Sequence, residues 1–220
     1  VEVEFFAPSI GANIVSLFKA NTTLIMLETP GSHTFEMPDV PAIAKACQEK
    51  GVISVIDNTW ATPLFFKPLD VGVDVVIHAA TKYIGGHSDL TMGVVICNAK
   101  TWPRAYRTFV QTGQTTSCDD IYLAYRGLHS MAVRVKAAAQ STKQIIDWLL
   151  QRPEVERVLW PALPTDPSYP IWKRDFSGAT SLFGVVFKER YANQLAPMIA
   201  ALCRSSGNVR YRALCLRYGR

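Results

Sequence analysis

Two stretches of sequence decide the fold: Val52–Trp60 (VISVIDNTW) and Val71–Lys82 (VGVDVVIHAATK). Each begins with a run of mostly β-branched apolar residues and ends in polar residues. An uninterrupted run of this kind is typical of a strand buried on both faces, as in a parallel sheet. We therefore predict strands over Val52–Ile56 and Val71–His78, with polar side chains where each strand ends.

Neighbouring segments complete an α/β pattern. Thr23–Leu27 and Met92–Cys97 are also short apolar runs and predict strands. Asp39 as N-cap, Pro41 in the first turn and Gly51 as the stop predict a helix before the second strand. A strand, a helix and further buried strands predict an α/β fold with a mostly parallel sheet covered by helices.

The second half of the chain has a different pattern. Apolar residues recur every three or four positions over 119–150, which predicts a long helix, and Gly127 predicts a bend within it. Val155–Trp160 and Ser181–Phe187 predict strands, and Tyr191–Leu202 predicts a helix. This order of elements indicates a smaller α+β domain.

The length of 220 residues suits one large domain, or one and a half. We expect residues 1–128 to form part of a large α/β domain whose N-terminal portion is missing, and residues 129–220 to form part of the smaller domain. The tail 203–220 is anomalous, because 204–220 contains five arginines and no acidic residue. Two interpretations stay open for it, a shifted reading frame and genuine divergence.

Charge and composition exclude several function classes. The net charge of +5 lies entirely in the tail, and the rest of the chain holds 18 basic and 18 acidic residues. A nucleic-acid-binding body would need a basic face, so we expect no nucleic-acid partner. The apolar runs are too short to span a membrane, and no signal peptide is visible. Five scattered cysteines without a zinc-type cluster predict reduced thiols, no metal site and a cytoplasmic protein.

The polar residues that follow the central strands carry the candidate chemistry. Asp57 follows one strand, and Thr81 and Lys82 follow the next. Asp57 and Lys82 could form a plain salt bridge. Lys82, however, lies among small residues and two glycines, which leave room for a bulky group on its nitrogen. A desolvated lysine can form a Schiff base with pyridoxal phosphate, a carboxylate can hold the ring nitrogen protonated, and the Thr81 hydroxyl can donate to the phosphate.

Three motifs carry a family resemblance. Asp57–Trp60 (DNTW), Ala80–Tyr83 (ATKY) and Gly86–Asp89 (GHSD) occur at matching spacing. The chain resembles, from about Phe5 to Leu202, the cysteine/methionine-metabolism (trans-sulfuration) family of pyridoxal-phosphate enzymes. The resemblance implies the fold type of aspartate aminotransferase, with pyridoxal 5'-phosphate as cofactor.

Within the family the chain looks most like the cystathionine β-lyase branch. Glu28–Ser32 (ETPGS), the DNTW motif and Trp172–Phe176 (WKRDF) favour that branch. Relatives of the γ branch usually have a tyrosine in place of Trp60 and a serine in place of Ala79. The resemblance implies cleavage of cystathionine to homocysteine, pyruvate and ammonia in methionine biosynthesis. γ-Lyase, γ-synthase or methionine γ-lyase chemistry is the alternative, as is an inactive fragment.

The resemblance also implies residue roles. Lys82 holds the cofactor as a Schiff base and moves the α-proton, Asp57 binds the ring nitrogen, and Thr81 binds the phosphate. Ser32 is a further candidate for a cofactor contact. Trp60 is another, although it suits a core position equally well.

Other polar residues near the motifs have predicted roles in structure. His87 and Asp89 are interpreted as residues that shape a loop, and His78 as a packed residue. Arg126 and Arg134 are interpreted as helix-surface or interface charges.

The resemblance places some site residues outside this chain. A glycine-rich phosphate turn and a stacking tyrosine are expected before residue 1, and an arginine that clamps the substrate carboxylate is expected beyond residue 220. The family builds each active site across a subunit interface, so the resemblance implies a homo-oligomer, a dimer of dimers.

Overall fold

The computed structural model describes residues 1–191, and its centre is a four-stranded sheet. The strands are β1 (Leu24–Glu28), β2 (Ile53–Asp57), β3 (Val75–Ala79) and β4 (Gly93–Cys97), and they lie side by side in that order. The first three strands are parallel, and β4 is antiparallel to β3. The prediction of a mostly parallel sheet is therefore confirmed.

Five helices accompany the strands within residues 1–191. They are α1 (Val40–Lys50), α2 (Thr62–Phe65), α3 (Trp102–Gln111), α4 (Cys118–Leu149) and α5 (Tyr169–Asp175). Short 3-10 helical segments lie at Pro8–Leu17, Pro68–Val71 and Glu189–Tyr191. No helix among residues 1–191 is both long enough and apolar enough to cross a bilayer.

Helix α1 begins and ends as the sequence predicts. The Asp39 carboxylate accepts the backbone N–H of Ala42 at 3.1 Å, and Gly51 takes the left-handed conformation with φ 70°. These two residues satisfy polar groups that a helix leaves open at its ends. One face of α1 is buried in the core against the sheet.

Two predicted boundaries or shapes differ from the structure. Strand β3 begins at Val75 rather than Val71, because Pro68–Val71 forms a 3-10 turn that ends at Gly72 with φ 95°. The last predicted strand begins at Gly184 rather than Ser181. Helix α4 runs unbroken through Gly127, and the predicted bend there stays a prediction. The glycine allows a close contact, described below.

The second sheet pairs β5 (Val155–Leu159) with β6 (Gly184–Phe187) in antiparallel order. Its residues join the same apolar core as the first half of the chain: Val155 and Val158 of β5 belong to the cluster that contains Ile56 and Trp60. The predicted domain boundary at 128/129 falls inside α4 and stays a prediction. The predicted helix beyond Tyr191 and the tail 203–220 lie outside the described residues.

Candidate functional site

The candidate site lies at the carboxyl end of β2 and β3. Asp57 is the last residue of β2 and pairs in register with Ile77 of β3. Residues 80–92, which we call the lysine loop, connect β3 to β4 and carry Lys82. The two strand ends are tied together, because the Thr59 hydroxyl accepts the backbone N–H of Ala79 at 2.8 Å. Ligands of open α/β sheets bind at this edge.

Asp57 presents one engaged and one open carboxylate oxygen. Its Oδ1 accepts the backbone N–H of Thr59 at 2.8 Å, which fixes the carboxylate plane. Its Oδ2 makes no hydrogen bond to any residue between 1 and 191. The side chain is half-buried, so the open oxygen can accept a proton donor from a ligand.

His78, near the end of β3, is buried and interacts electrostatically with this carboxylate. The residue is 3% exposed, and burial lowers the pKa of its imidazole, while the negative charge of Asp57 opposes that shift. A lowered histidine pKa leaves the ring neutral at pH 7. His78 is therefore a packed residue, as predicted, and it adds no positive charge beside Asp57.

Lys82 carries an unpaired amine. The residue is exposed, and its Nζ has no hydrogen-bond or ion-pair partner in the described part of the chain. A salt bridge to Asp57, the plain alternative, is not formed. The backbone around Lys82 is held in a turn: its N–H donates to Ala79 at 3.0 Å, and its carbonyl accepts the N–H of Gly86 at 2.8 Å.

The Thr81 hydroxyl ties the two ends of the lysine loop together. It accepts the backbone N–H of Met92 at 3.0 Å and donates to the Met92 carbonyl at 3.3 Å. Thr81 therefore lies next to Lys82 with its hydroxyl engaged by the protein. Its contact with a phosphate stays a prediction.

Ser32 and Trp60 lie in different surroundings. Ser32 donates both its backbone N–H and its hydroxyl to the Glu28 carboxylate, at 3.0 and 2.7 Å. Trp60 is 7% exposed, meets Phe176 edge-on, and donates its indole N–H to the Leu182 carbonyl at 2.9 Å. The structure thus places Trp60 in the core. A cofactor contact stays a prediction for both residues.

The loop-shaping predictions suit the structure. His87 Nδ1 lies 2.8 Å from the Gly85 carbonyl, a hydrogen bond within the loop. Asp89 pairs with Arg126 of α4 at 3.1 Å, and both side chains are substantially exposed. These contacts brace the loop rather than present reactive groups.

Helix α4 contributes contacts that the sequence reasoning missed. Arg134, predicted to be a surface or interface charge, is half-buried and donates Nη2 to the carbonyls of Tyr83 and Ile84, at 3.0 and 3.2 Å. Gly127 lies against the same loop: a Cβ there would sit 2.3 Å from the Ile84 oxygen. A charge on a helical segment gives no local signal for such a contact. Gly127, seven residues earlier in the same predicted helix, was the available hint.

Together these groups suit one kind of chemistry. An exposed unpaired amine can condense with a carbonyl compound. A carboxylate with one open oxygen can accept a ring N–H from a heteroaromatic ligand. Both groups belong to the same edge of the sheet. Among residues 1–191, no group of three or more potential metal ligands is found.

Comparisons with known proteins agree with this geometry. The sequence profile of the Cys/Met metabolism PLP-dependent enzymes matches residues 1–206. The cystathionine beta-lyase of Escherichia coli is 42% identical over 196 residues, which are 88% of this chain and 50% of that protein. The L-alanine/L-glutamate racemase of Wolbachia pipientis is 41% identical over 191 residues, which are 87% of this chain and 47% of that protein.

A solved structure is similar as well. The cystathionine gamma-lyase of Lactobacillus plantarum, complexed with L-serine, aligns with a TM-score of 0.77 and 31% identity. The alignment covers 80% of this chain and 47% of that one, so the chain spans about half the length of the relatives it matches. Because the family profile covers nearly the whole chain, the chain belongs to the Cys/Met metabolism family of PLP-dependent enzymes.

Proposed function

We propose that this protein is a carbon–sulfur β-lyase that cleaves L,L-cystathionine, with one water consumed, to homocysteine, pyruvate and ammonia. The observation that carries the proposal is the unpaired Lys82 amine at the same sheet edge as the open Asp57 oxygen. These are the two groups that pyridoxal phosphate needs from a protein at its aldehyde and at its ring nitrogen.

The donor set of this chain fits the cofactor. Lys82 supplies a primary amine without a competing carboxylate in the described residues, and Asp57 supplies an acceptor whose plane is fixed by Thr59. The neutral His78 leaves the Asp57 charge uncompensated by a neighbouring cation. The phosphate is the less complete part of the fit, because Ala79 has no hydroxyl and the Thr81 hydroxyl is engaged by Met92.

Each residue has a defined task in the proposed reaction. When bound, pyridoxal phosphate supplies an electron sink for the negative charge that forms at the substrate α-carbon. Asp57 holds a proton on the ring nitrogen. Lys82 Nζ becomes free when the substrate amine takes its place. The free amine then takes the α-proton and delivers a proton to the leaving sulfur of homocysteine.

The β position of cleavage is favoured by similarity and by sequence. The cystathionine beta-lyase of E. coli shares 42% of the aligned residues. Ala79 and Trp60 also depart from the γ branch, as described above. Cleavage or replacement at the γ-carbon is the second candidate, and the structural likeness to a cystathionine gamma-lyase favours it.

The proposal includes assembly of the protein as a homo-oligomer, a dimer of dimers. Helices α3 and α4 leave large apolar side chains exposed, which supports an interface there: Trp102, Tyr106, Phe109, Val110, Ile121, Tyr122, Tyr125 and Leu128. We also place the enzyme in the cytoplasm, where the free cysteines Cys47, Cys97 and Cys118 would stay reduced.

Product analysis tests the reaction. The full-length protein, loaded with pyridoxal phosphate, is given cystathionine, and keto acids are identified by mass spectrometry. We expect pyruvate with homocysteine; 2-oxobutyrate with cysteine would instead establish γ-elimination. The same protein is also given L-alanine. Formation of D-alanine from it, with no keto acid from cystathionine, would overturn the lyase proposal in favour of racemisation.

Two variants assign the chemistry. Lys82→Ala is expected to abolish pyruvate formation and the near-visible absorbance band that borohydride removes. Lys100→Ala, which removes another exposed lysine, is the matched control and is expected to change neither. The 220-residue chain alone is tested in the same assays, because turnover by it would exclude the inactive-fragment alternative.

A further inference from the structure

A single guanidinium joins helix α4 to the lysine loop. Arg134 Nη2 donates to the carbonyls of Tyr83 and Ile84, at 3.0 and 3.2 Å, and to the carbonyl of Gly127 at 2.7 Å. Its Nε donates to the Ser130 hydroxyl at 2.9 Å. Tyr83 is the residue directly after Lys82, so this bond fixes the backbone immediately beside the reactive lysine.

Helix α4, the Arg134 side chain and the lysine loop pack closely together at two glycines. A Cβ on Gly86 would lie 1.9 Å from Arg134 Nη1, and Gly86 has a φ of +76°, which a side chain disfavours. A Cβ on Gly127 would lie 2.3 Å from the Ile84 oxygen and 2.4 Å from the Gly85 oxygen. Because both positions are glycines, α4 and the Arg134 guanidinium can contact the loop without a steric clash.

Arg134 differs from the ion-paired Arg126 and Arg174, because its partners are backbone carbonyls and a hydroxyl rather than carboxylates. It has no carboxylate partner within residues 1–191, and burial lowers the pKa of its guanidinium. A desolvated cation is tolerated only when its donors are satisfied. Here backbone carbonyls accept from Nη2 and one hydroxyl accepts from Nε, so the charge serves to order the loop rather than to balance an acid.

We propose that Arg134 is a positioning residue that holds the lysine loop so that Lys82 Nζ faces the aldehyde of pyridoxal phosphate. The proposal rests on the role of Lys82 in the proposed function. The Lys82 backbone is fixed on both sides, by its own N–H bond to Ala79 at 3.0 Å and by the Arg134 bond to Tyr83. Loss of the second restraint leaves the amine free to point elsewhere.

The test measures how fast the bond between Lys82 and the cofactor forms. The apo form of the full-length protein is mixed with pyridoxal phosphate in a stopped-flow instrument, and the near-visible band is followed without any amino acid. Arg134→Lys keeps the charge but loses the planar fork that serves three carbonyls and a hydroxyl. We expect the rate of band formation to fall about tenfold, as the loss of one charge-assisted hydrogen bond predicts.

Two further variants complete the design. Arg157→Lys, on the exposed face of β5, is the matched control and is expected to keep the wild-type rate. Ser130→Ala removes the partner of Arg134 Nε, together with the Ser130 hydrogen bond to the Gly127 carbonyl at 3.2 Å, and is expected to slow the reaction about threefold. Urea unfolding of each apo-protein separates the role in positioning from general stability, because a merely structural role would lower the unfolding midpoint and leave the rate unchanged.

Unchanged rates in folded Arg134→Lys and Ser130→Ala would overturn the proposal. If Arg134→Lys does not fold, Ser130→Ala decides alone by the same criterion. The experiment is independent of substrate: a band that depends on Lys82, together with no keto acid from cystathionine, would refute the proposed reaction but not the positioning role. A band that persists in Lys82→Ala would refute both.

Discussion

Gly127 offers the sharpest test of how α4 meets the lysine loop. Replacing a glycine inside a helix by alanine stabilises the helix by about 1 kcal/mol when nothing else changes. In this protein the added Cβ would lie 2.3 Å from the Ile84 oxygen, 2.4 Å from the Gly85 oxygen and 2.9 Å from the Gly85 carbonyl carbon. All three are backbone atoms, which cannot rotate away as a side chain can.

The steric cost exceeds the gain in helix propensity. Real Cβ contacts stay beyond 3.0 Å, so the helix and the loop must separate by about 0.7 Å. Overpacking of this kind costs about 1–3 kcal/mol. The separation also stretches the bonds of Arg134 to the Tyr83 and Ile84 carbonyls, which start at 3.0 and 3.2 Å, and each charge-assisted bond contributes about 1.5–3 kcal/mol. We expect Gly127→Ala to lower the free energy of unfolding by about 2 kcal/mol.

Urea unfolding of the full-length apo-protein, followed by far-ultraviolet circular dichroism, measures this difference. Gly93→Ala is the control, because no atom lies within 4 Å of a Cβ at that position and its φ is not left-handed. The control is expected to change stability by less than about 0.5 kcal/mol. A stabilisation of about 1 kcal/mol in Gly127→Ala would show that helix propensity alone governs the site and would refute the reasoning.

Three further perturbations test other parts of the structure. Asp39→Ala should lower the free energy of unfolding by about 1 kcal/mol, because it removes the N-cap of α1, whereas Asp39→Asn keeps the cap and should cost less; equal losses in urea unfolding would contradict this. Burial lowers the pKa of His78, so the unfolded chain gains a proton near pH 6.5 that the folded chain does not, and stability falls as pH drops. The free energy of unfolding of the wild-type apo-protein should therefore fall by up to about 1.4 kcal/mol more between pH 7.5 and 5.5 than that of His78→Gln. Equal losses for the two proteins in urea unfolding would contradict this prediction. Burial raises the pKa of Cys47 to about 11, so iodoacetamide at pH 8 should alkylate the exposed Cys118 first, and comparable labelling of both thiols in peptide mass spectra would refute the assignment.

Local signals in the sequence were enough to predict the frame of the site. The strands β1, β2 and β4 lie within a residue or two of the predicted runs, because a buried strand needs only a short apolar segment. Helix α1 carries its own start and stop in Asp39 and Gly51. Asp57 and Lys82 could be placed at one edge of the sheet because parallel strands present their carboxyl ends together.

Elements without a core-facing stripe escaped prediction. Helix α3 carries Trp102, Tyr106, Phe109 and Val110 at helical spacing, but neither α3 nor α5 buries any residue within the described part of the chain. The start of β3 was misplaced because the turn over Pro68–Val71 continues an apolar run into a different conformation. The backbone conformation of Pro68–Val71 depends on its turn residues rather than on a repeating apolar pattern.

Long-range contacts decide the roles of individual side chains. Trp60 was equally compatible with a pocket and with the core, and its packing is set by Phe176 and by the Leu182 carbonyl, which lies 122 residues along the chain. Arg134 has the spacing of an ordinary surface charge, and only the tertiary structure brings it to the Tyr83 carbonyl, 51 residues away. No window of local sequence contains both partners of either contact.

The motif around Lys82 therefore supplies the reactive groups but does not determine where they lie in the structure. Lys82 and Asp57 supply an amine and a carboxylate in any chain that contains them, but the direction of the amine depends on the backbone of residues 80–92. That backbone is held by Met92 through Thr81 and by α4 through Arg134, with Gly127 permitting the approach. A chain that kept the motif but lost the glycine or the arginine would retain the chemical groups and lose their geometry. Assembly of the site is thus a property of α4 as much as of the lysine motif.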